Sequence, residues 1–205
     1  MNTSSNNQRS QQPPIIGISG TFASGKDTLS KFLSEHYGYF VESSGDLVRR
    51  LSMARHGSIE RPDLRETAEY YRKTFGPRFL IDTQIKHYNE QKQNFSGLII
   101  HGLRALGEAK AVKEAGGVLI FVDAPIEERY QRMLSRKRDQ EVKLSLEEFK
   151  RAEALEWHGG DTDSDFNLAG IKQAADIVLE NNGSLESFLS EAVNRLKLPP
   201  AGQNA

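Results

Sequence analysis

Lys26 ends the string Gly20-Thr21-Phe22-Ala23-Ser24-Gly25-Lys26, in which two glycines bracket four residues and a lysine follows at once. Glycines let successive backbone N–H groups turn inward around phosphate oxygens. A lysine placed there reaches the outer phosphates as a point charge, and the helix that follows adds its positive end. Gly20, Ala23, Ser24, Gly25 and Lys26 are therefore candidate contacts to the phosphates of a nucleotide. Asp27 follows the lysine, and the hydroxyl that the G-x-x-x-x-G-K pattern calls for falls one place later, at Thr28. Thr28 either meets a phosphate or bonds within the first helical turn. Asp27 either orders a magnesium-bound water or simply favours the helix N-terminus.

Arginines are the second set with chemistry to offer. "SSGDLVRR" carries Asp46 and Arg49, and "HGLR" carries Arg104. Two guanidinium forks suit a dianionic acceptor, although surface arginines paired with nearby acids remain the plain alternative. "RMLSRKRD" supplies Arg132, Arg136 and Arg138. These either close over a triphosphate and neutralise the charge that moves during transfer, or decorate a solvated helix end. Asp123, in "VDAP", is a metal-ordering candidate or a strand-end turn former. Tyr70 and Tyr71 either stack on a base or pack helix on helix, and Arg65 and Arg78 lie in the same stretch.

The elements that must position these residues are readable as short apolar runs separated by amphipathic ones. "IIGIS", "GYFVE", "GLIIH", "GVLIFVD" and "DIVL" read as strands. Near-continuous apolar strands alternating with helices mark a parallel sheet covered on both faces. Helices are expected over 27–36, over 62–75 and 78–91 with a break at Gly76-Pro77, from the Ser145/Glu148 capping pattern towards Trp157, and over 185–198, where Leu185, Phe188, Leu189, Val193 and Leu196 recur at core intervals. Two excursions interrupt the alternation, 46–94 and the charged 135–146. In α/β proteins such excursions sit at the carboxyl ends of strands, where ligands bind.

Composition bounds the rest. The chain has 205 residues, enough for one substantial core, with polar stretches over 1–14 and 199–205 expected as loose tails around a single domain, 15–198. A formal net charge of -1 offers no broad field for nucleic acid or an acidic membrane, so no such partner is expected. Without cysteine, disulfides and thiolate metal sites are excluded. No run is long and apolar enough to span a bilayer, and no leader is evident, so a cytoplasmic monomer or homodimer is the expectation.

The ordered set of motifs resembles the nucleoside monophosphate kinases (the adenylate, cytidylate and thymidylate kinase group) and related compact P-loop kinases such as dephospho-CoA kinase. "GKDT" is similar to that family's "GKGT", Gly45-Asp46-Arg49 to its "GDxxR", and "HGLR" to its "DGFPR". "FVDAPIEERYQRMLSRKR" resembles the strand and helix leading to its lid, and "AADIVLENNGSLESF" its closing strand and helix. The resemblance implies a three-layer α/β P-loop sandwich with a five-stranded parallel sheet in order 2-3-1-4-5, an acceptor-binding region over 46–94 and a short lid over 135–146. It also implies ATP and Mg2+, transfer to a nucleoside or deoxynucleoside monophosphate, and acceptor contacts from Asp46, Arg49, Arg104 and Glu108. His101 departs from the pattern where an acid stands in the family, and Glu108 stands near where adenylate kinase-like members carry a base-reading glutamine; it is otherwise a helix-start residue. A dephospho-CoA kinase-like activity, attacking through a hydroxyl with Asp27 or Asp46 as base, and a binding protein with weak or no transfer stay open beside it.

Overall fold

The computed structural model describes residues 12–135 and 144–200. Five strands, β1 (Ile15–Gly20), β2 (Tyr39–Ser43), β3 (Gly97–Leu103), β4 (Val118–Asp123) and β5 (Ile177–Glu180), form one parallel sheet in the order β2-β3-β1-β4-β5. Every residue of β1 is buried, as a central strand covered on both faces requires. Each crossover is helical: α1 (Lys26–Tyr37) joins β1 to β2, α2 (Ser44–His56), α3 (Arg61–Phe75) and α4 (Phe79–Gln91) precede β3, and α5 (Leu106–Glu114) joins β3 to β4. After β4 come α6 (Ile126–Ser135), α7 (Leu146–Trp157) and α8 (Leu168–Ala174), and α9 (Leu185–Arg195) follows β5.

Side chains alternate along the strands and divide the core in two. Ile16 and Ile18 of β1 face Leu29 and Leu33 of α1 and Phe188 and Ala192 of α9. On the other face Leu98, Ile100, Leu119 and Phe121 meet Ile81 of α4, Ala109 and Val112 of α5, and Leu168 and Ile171 of α8. Full burial of each large aliphatic side chain stabilises the fold by roughly 1.5–3 kcal/mol. A smaller cluster of Leu47, Val48, Ala68, Leu80 and Phe166 fastens the α2–α4 excursion to the body.

Local signals place the helix ends. Ser145 caps α7, its Oγ accepting from Glu148 N at 3.3 Å while Glu148 Oε2 accepts from Ser145 N at 2.8 Å, a box worth about 1 kcal/mol. Gly76 and Pro77 separate α3 from α4, as expected. Two expectations need correction. Leu185 is 57% exposed, so the core stripe of α9 begins at Phe188. The stretches read as tails are tied down where they meet the fold: Tyr39 Oη donates to Pro13 O at 2.9 Å, Leu98 N to Pro14 O at 2.9 Å, and Tyr37 Oη to Pro199 O at 2.7 Å. Most of the expected lid, including Arg136 and Arg138, lies outside the described residues.

Candidate phosphate loop and acceptor cleft

The loop between β1 and α1 closes on itself at the carboxyl end of the central strand. Gly20 has φ 149, and a Cβ there would meet Val122 O at 2.1 Å. Gly25 has φ 107 and is the N-cap of α1; its Cβ would meet Asn181 Nδ2 at 2.4 Å. No side chain but glycine's fits at either place, so the glycine pattern has a steric cause. Gly25 carries no capping side chain, which leaves the first N–H groups of α1 directed at the loop's interior, where an anion is favoured. Ser24 Oγ is buried there without a protein partner. Lys26 Nζ donates to Thr21 O at 3.1 Å and is largely buried within the loop. This cradle, its lysine and its spare hydroxyl fit a polyphosphate. Thr28 is exposed on α1.

Neighbouring strands brace the loop from behind. Asp123, at the end of β4, accepts from Thr21 Oγ1 at 2.8 Å and from Ala124 N at 2.9 Å through Oδ1, and from Lys172 Nζ at 2.8 Å through Oδ2. Burial pushes its carboxyl up, but the bonds from Lys172, Thr21 and Ala124 outweigh burial and hold it below the ordinary carboxylate value. The carboxylate is thus engaged in bracing, although sequence reading made it a metal-ordering candidate. Asn181, after β5, donates from Nδ2 to Ser24 O at 2.8 Å, and Asn181 O accepts from Arg132 Nη2 at 2.8 Å. Arg132, expected beside the transferring group, is therefore joined to the loop through Asn181.

Arg129 and Lys150, neither marked by the sequence patterns, also lie near the loop. Arg129 of α6 is 4% exposed, donates from Nε to Ala124 O at 2.7 Å and from Nη1 to Phe22 O at 3.3 Å, and pairs with Glu153 of α7. Lys150 of α7 lines a cavity of about 420 Å³ together with Thr21, Asp123, Glu153, Trp157 and His158. The only signal for Arg129 is its place on a strongly amphipathic helix, which marks it as inward-facing without naming its partner.

Further arginines lie around the turn that follows β3. Between His101 and Leu103 the pairing with β1 shifts register at Gly102, which re-aims the chain leading to Arg104. Arg104 pairs with Glu156 of α7. Its guanidinium is pulled down to about 10, first by burial; Glu108 and Asp27 oppose this, whereas Arg72 and Arg61 add to it. Arg61 lies over the ring of Phe22 in the loop, 5.0 Å from its centroid, and Phe22 meets Phe149 of α7 at 5.6 Å. Arg65 and Arg72 lie over Phe166 at 5.5 and 5.1 Å. Arg61, Arg65 and Arg72 are four and seven residues apart, so they share one face of α3. Asp27 Oδ1 lies 3.5 Å from His101 Nδ1, which gives the imidazole at the family's acid position a carboxylate neighbour.

Other expected site residues lie elsewhere. Arg49 is held by Asp46 at 2.5 Å on the exposed side of α2. Glu108 is fully buried: Oε1 accepts from Arg72 Nη2 at 2.8 Å, and Oε2 from the N–H groups of Arg104 and Ala105 at 2.7 and 3.1 Å. It holds the turn after β3 in shape and presents no free edge to a base. Tyr70, Tyr71, Phe75 and Phe79 pack on one another, with centroids 5.1 to 6.5 Å apart, and Arg78 pairs outward with Asp82 and Glu114.

A family described as an AAA domain matches residues 16–156. A UPF0200/UPF0201 protein of Archaeoglobus fulgidus is 29% identical over 86% of the chain, and the chain spans 53% of that relative, about half its length. A cytidylate kinase of Methanosarcina barkeri is 30% identical over 69% of this chain and 75% of its own. Among solved structures, shikimate kinase from Aquifex aeolicus superposes with a TM-score of 0.54 at 22% identity, over 89% of this chain and 96% of its own, a likeness of fold. With the loop, the sheet order and the matched span in agreement, the chain belongs to the AAA domain family and has the P-loop kinase fold.

Proposed function

We propose that the protein transfers the γ-phosphoryl group of ATP to a nucleoside or deoxynucleoside monophosphate. The observation that carries this reading is the tight glycine loop with Lys26 inside it, with Arg61 over the loop's Phe22 and Arg104 just past the end of β3. Arg72 pairs with Glu108 and Arg104 with Glu156, while Arg61 lies over Phe22, and an anionic acceptor adds a charged partner for these guanidinium groups. The loop N–H groups and Lys26 hold the donor phosphates. Arg104 and Arg61 hold the acceptor phosphate, and Arg49 and Asp46, paired with each other on the exposed side of α2, have a lesser part. Arg132, joined to the loop through Asn181, supplies the neutralising charge on the donor side.

An acceptor phosphate already presents a nucleophilic oxygen, so no strong base is required and the protein's contribution is placement and charge neutralisation. Magnesium, when bound, supplies charge neutralisation at the donor oxygens. Asp27, at the head of α1, is the carboxylate placed to order its water, since Asp123 is engaged with Lys172 and Thr21. Transfer to a hydroxyl, as in a dephospho-CoA kinase-like reaction, is the second reading; the Asp27–His101 pair, a carboxylate beside an imidazole at the loop, favours it.

The test is product identification by mass spectrometry after incubating the protein with ATP, magnesium and, in turn, each common ribo- and deoxyribonucleoside monophosphate and dephospho-CoA. A nucleoside diphosphate supports the first reading and CoA the second. Tight ATP binding with no transferred phosphate would overturn both.

A further inference from the structure

We propose that Lys172 is a positioning residue for the phosphate loop, acting through Asp123 and Thr21 on the segment that carries Lys26. The proposal rests on the reading that this loop takes a donor triphosphate. Lys172 belongs to α8, whose Leu168 and Ile171 are fully buried against the sheet. Its ammonium lies 5.6 Å from the Phe121 ring centroid, and that path carries its Nζ to 2.8 Å from Asp123 Oδ2. Glu180 stands further off, at 3.8 Å.

From Asp123 the line of bonds continues into the loop. Oδ1 accepts the Thr21 hydroxyl at 2.8 Å, Thr21 N donates to Val122 O at 3.3 Å, and Thr21 O accepts Lys26 Nζ at 3.1 Å. Thr21 is 1% exposed and its hydroxyl donates to Asp123, which sets its orientation. Residues from three widely separated parts of the chain thus form one sequence of contacts, Lys172 to Asp123 to Thr21 to Lys26.

Two effects follow from charge. Lys172 cancels the negative charge of Asp123, which otherwise stands directly behind a loop that must receive a polyanion. It also fixes the carboxylate rotamer that grips Thr21, and through it the first turn of the loop. The first effect grows with the charge of the ligand, whereas a general loosening of the fold weakens every ligand alike.

The experiment is a fluorescence titration of the full chain with the N-methylanthraniloyl derivatives of ATP and ADP, in magnesium at fixed ionic strength. It uses wild type, Lys172→Met, Lys172→Arg, Thr21→Val and the Lys172→Met/Thr21→Val double variant. Lys172→Met is expected to raise the Kd for the triphosphate about tenfold, the size of a lost charge-assisted bond, and to raise it less for the diphosphate. Lys172→Arg should restore most of the affinity, and the double variant should be no weaker than the weaker single one. A Kd for Lys172→Met within about twofold of wild type, equal weakening of both nucleotides, or additive losses in the double variant overturns the proposal. If Lys172→Met does not fold, Lys172→Gln takes its place under the same criteria. Failure of the wild type to bind either nucleotide is a different result: it overturns the donor reading itself.

Discussion

Arg72 donates to Glu108 at 2.8 Å in a place where the two side chains are 2% and 0% exposed. Taking both charges out of water is costly, and their mutual attraction together with the backbone N–H groups on Glu108 offsets that cost. The pair joins α3 of the excursion to the turn after β3, and so sets the distance between the arginines of α3 and the phosphate loop. Removing one partner strands the other charge. Glu108→Leu is expected to destabilise the protein by about 3–5 kcal/mol, whereas Arg72→Leu/Glu108→Leu together should cost less than the sum of the single losses. Urea unfolding of the three variants checks this; additive losses would count against a coupled pair.

The two anion sites should separate kinetically. Lys26→Ala is expected to reduce transfer at least a hundredfold and to weaken donor binding, because the loop loses the cation buried within it. Arg61→Ala and Arg104→Ala should raise the acceptor KM about tenfold or more with the ATP KM little changed. Arg49→Ala, whose guanidinium is held by Asp46 at 2.5 Å, should have the smallest effect of the three arginines. Steady-state kinetics on the acceptor identified above provide the measurement, and an Arg49 effect larger than that of Arg61 would reverse the assignment.

Gly25→Ala should fail for a steric reason independent of chemistry. The new methyl group would stand 2.4 Å from Asn181 Nδ2 at a backbone φ of 107, so the loop and the Asn181–Ser24 bond cannot both persist. The expected outcome is a loss of nucleotide binding with about 1–3 kcal/mol of stability. Calorimetric titration and thermal unfolding on one preparation read both; unchanged affinity would mean that the cradle is softer than its geometry.

Acid should weaken the clasp between α5 and the start of β5. Asp176 accepts from Leu119 N at 2.9 Å and from Lys113 Nζ at 2.8 Å. Burial raises its carboxyl, yet these bonds prevail and hold it below its ordinary value. A depressed folded pKa stabilises fully above the unfolded value of about 4 and is lost as pH falls through the folded value. Asp176→Asn removes that pH-dependent part, so the variant's deficit, about 1 kcal/mol at neutral pH for a partly exposed group, should shrink between pH 4 and pH 2. Unfolding free energies at several pH values test the sign.

Much of this architecture is legible locally. The five apolar runs, the glycine spacing around Lys26, the Ser145/Glu148 box and the Gly76-Pro77 break each rest on interactions within one or two turns of chain, where side-chain type and backbone stereochemistry act directly. The same signals misplace Leu185, because a helical period cannot say where along its stripe the neighbouring surface ends. They also treat every arginine near a strand end alike. Arg61, in the middle of the excursion, carries no such signal, and only packing puts Arg49 against Asp46 and Arg61 over Phe22.

The residue order by itself determined that a parallel sheet would present a phosphate-sized ring of amides with a lysine at its edge. Which charges meet around that ring was decided by tertiary structure alone. Thr21 and Asp123 are 102 positions apart, and Lys172 lies a further 49 beyond Asp123. They touch because β1 and β4 are neighbours and α8 packs on the face to which Asp123 points. Electrostatic partnership depends on distance in space and on burial, and neither is a property of a short stretch of sequence.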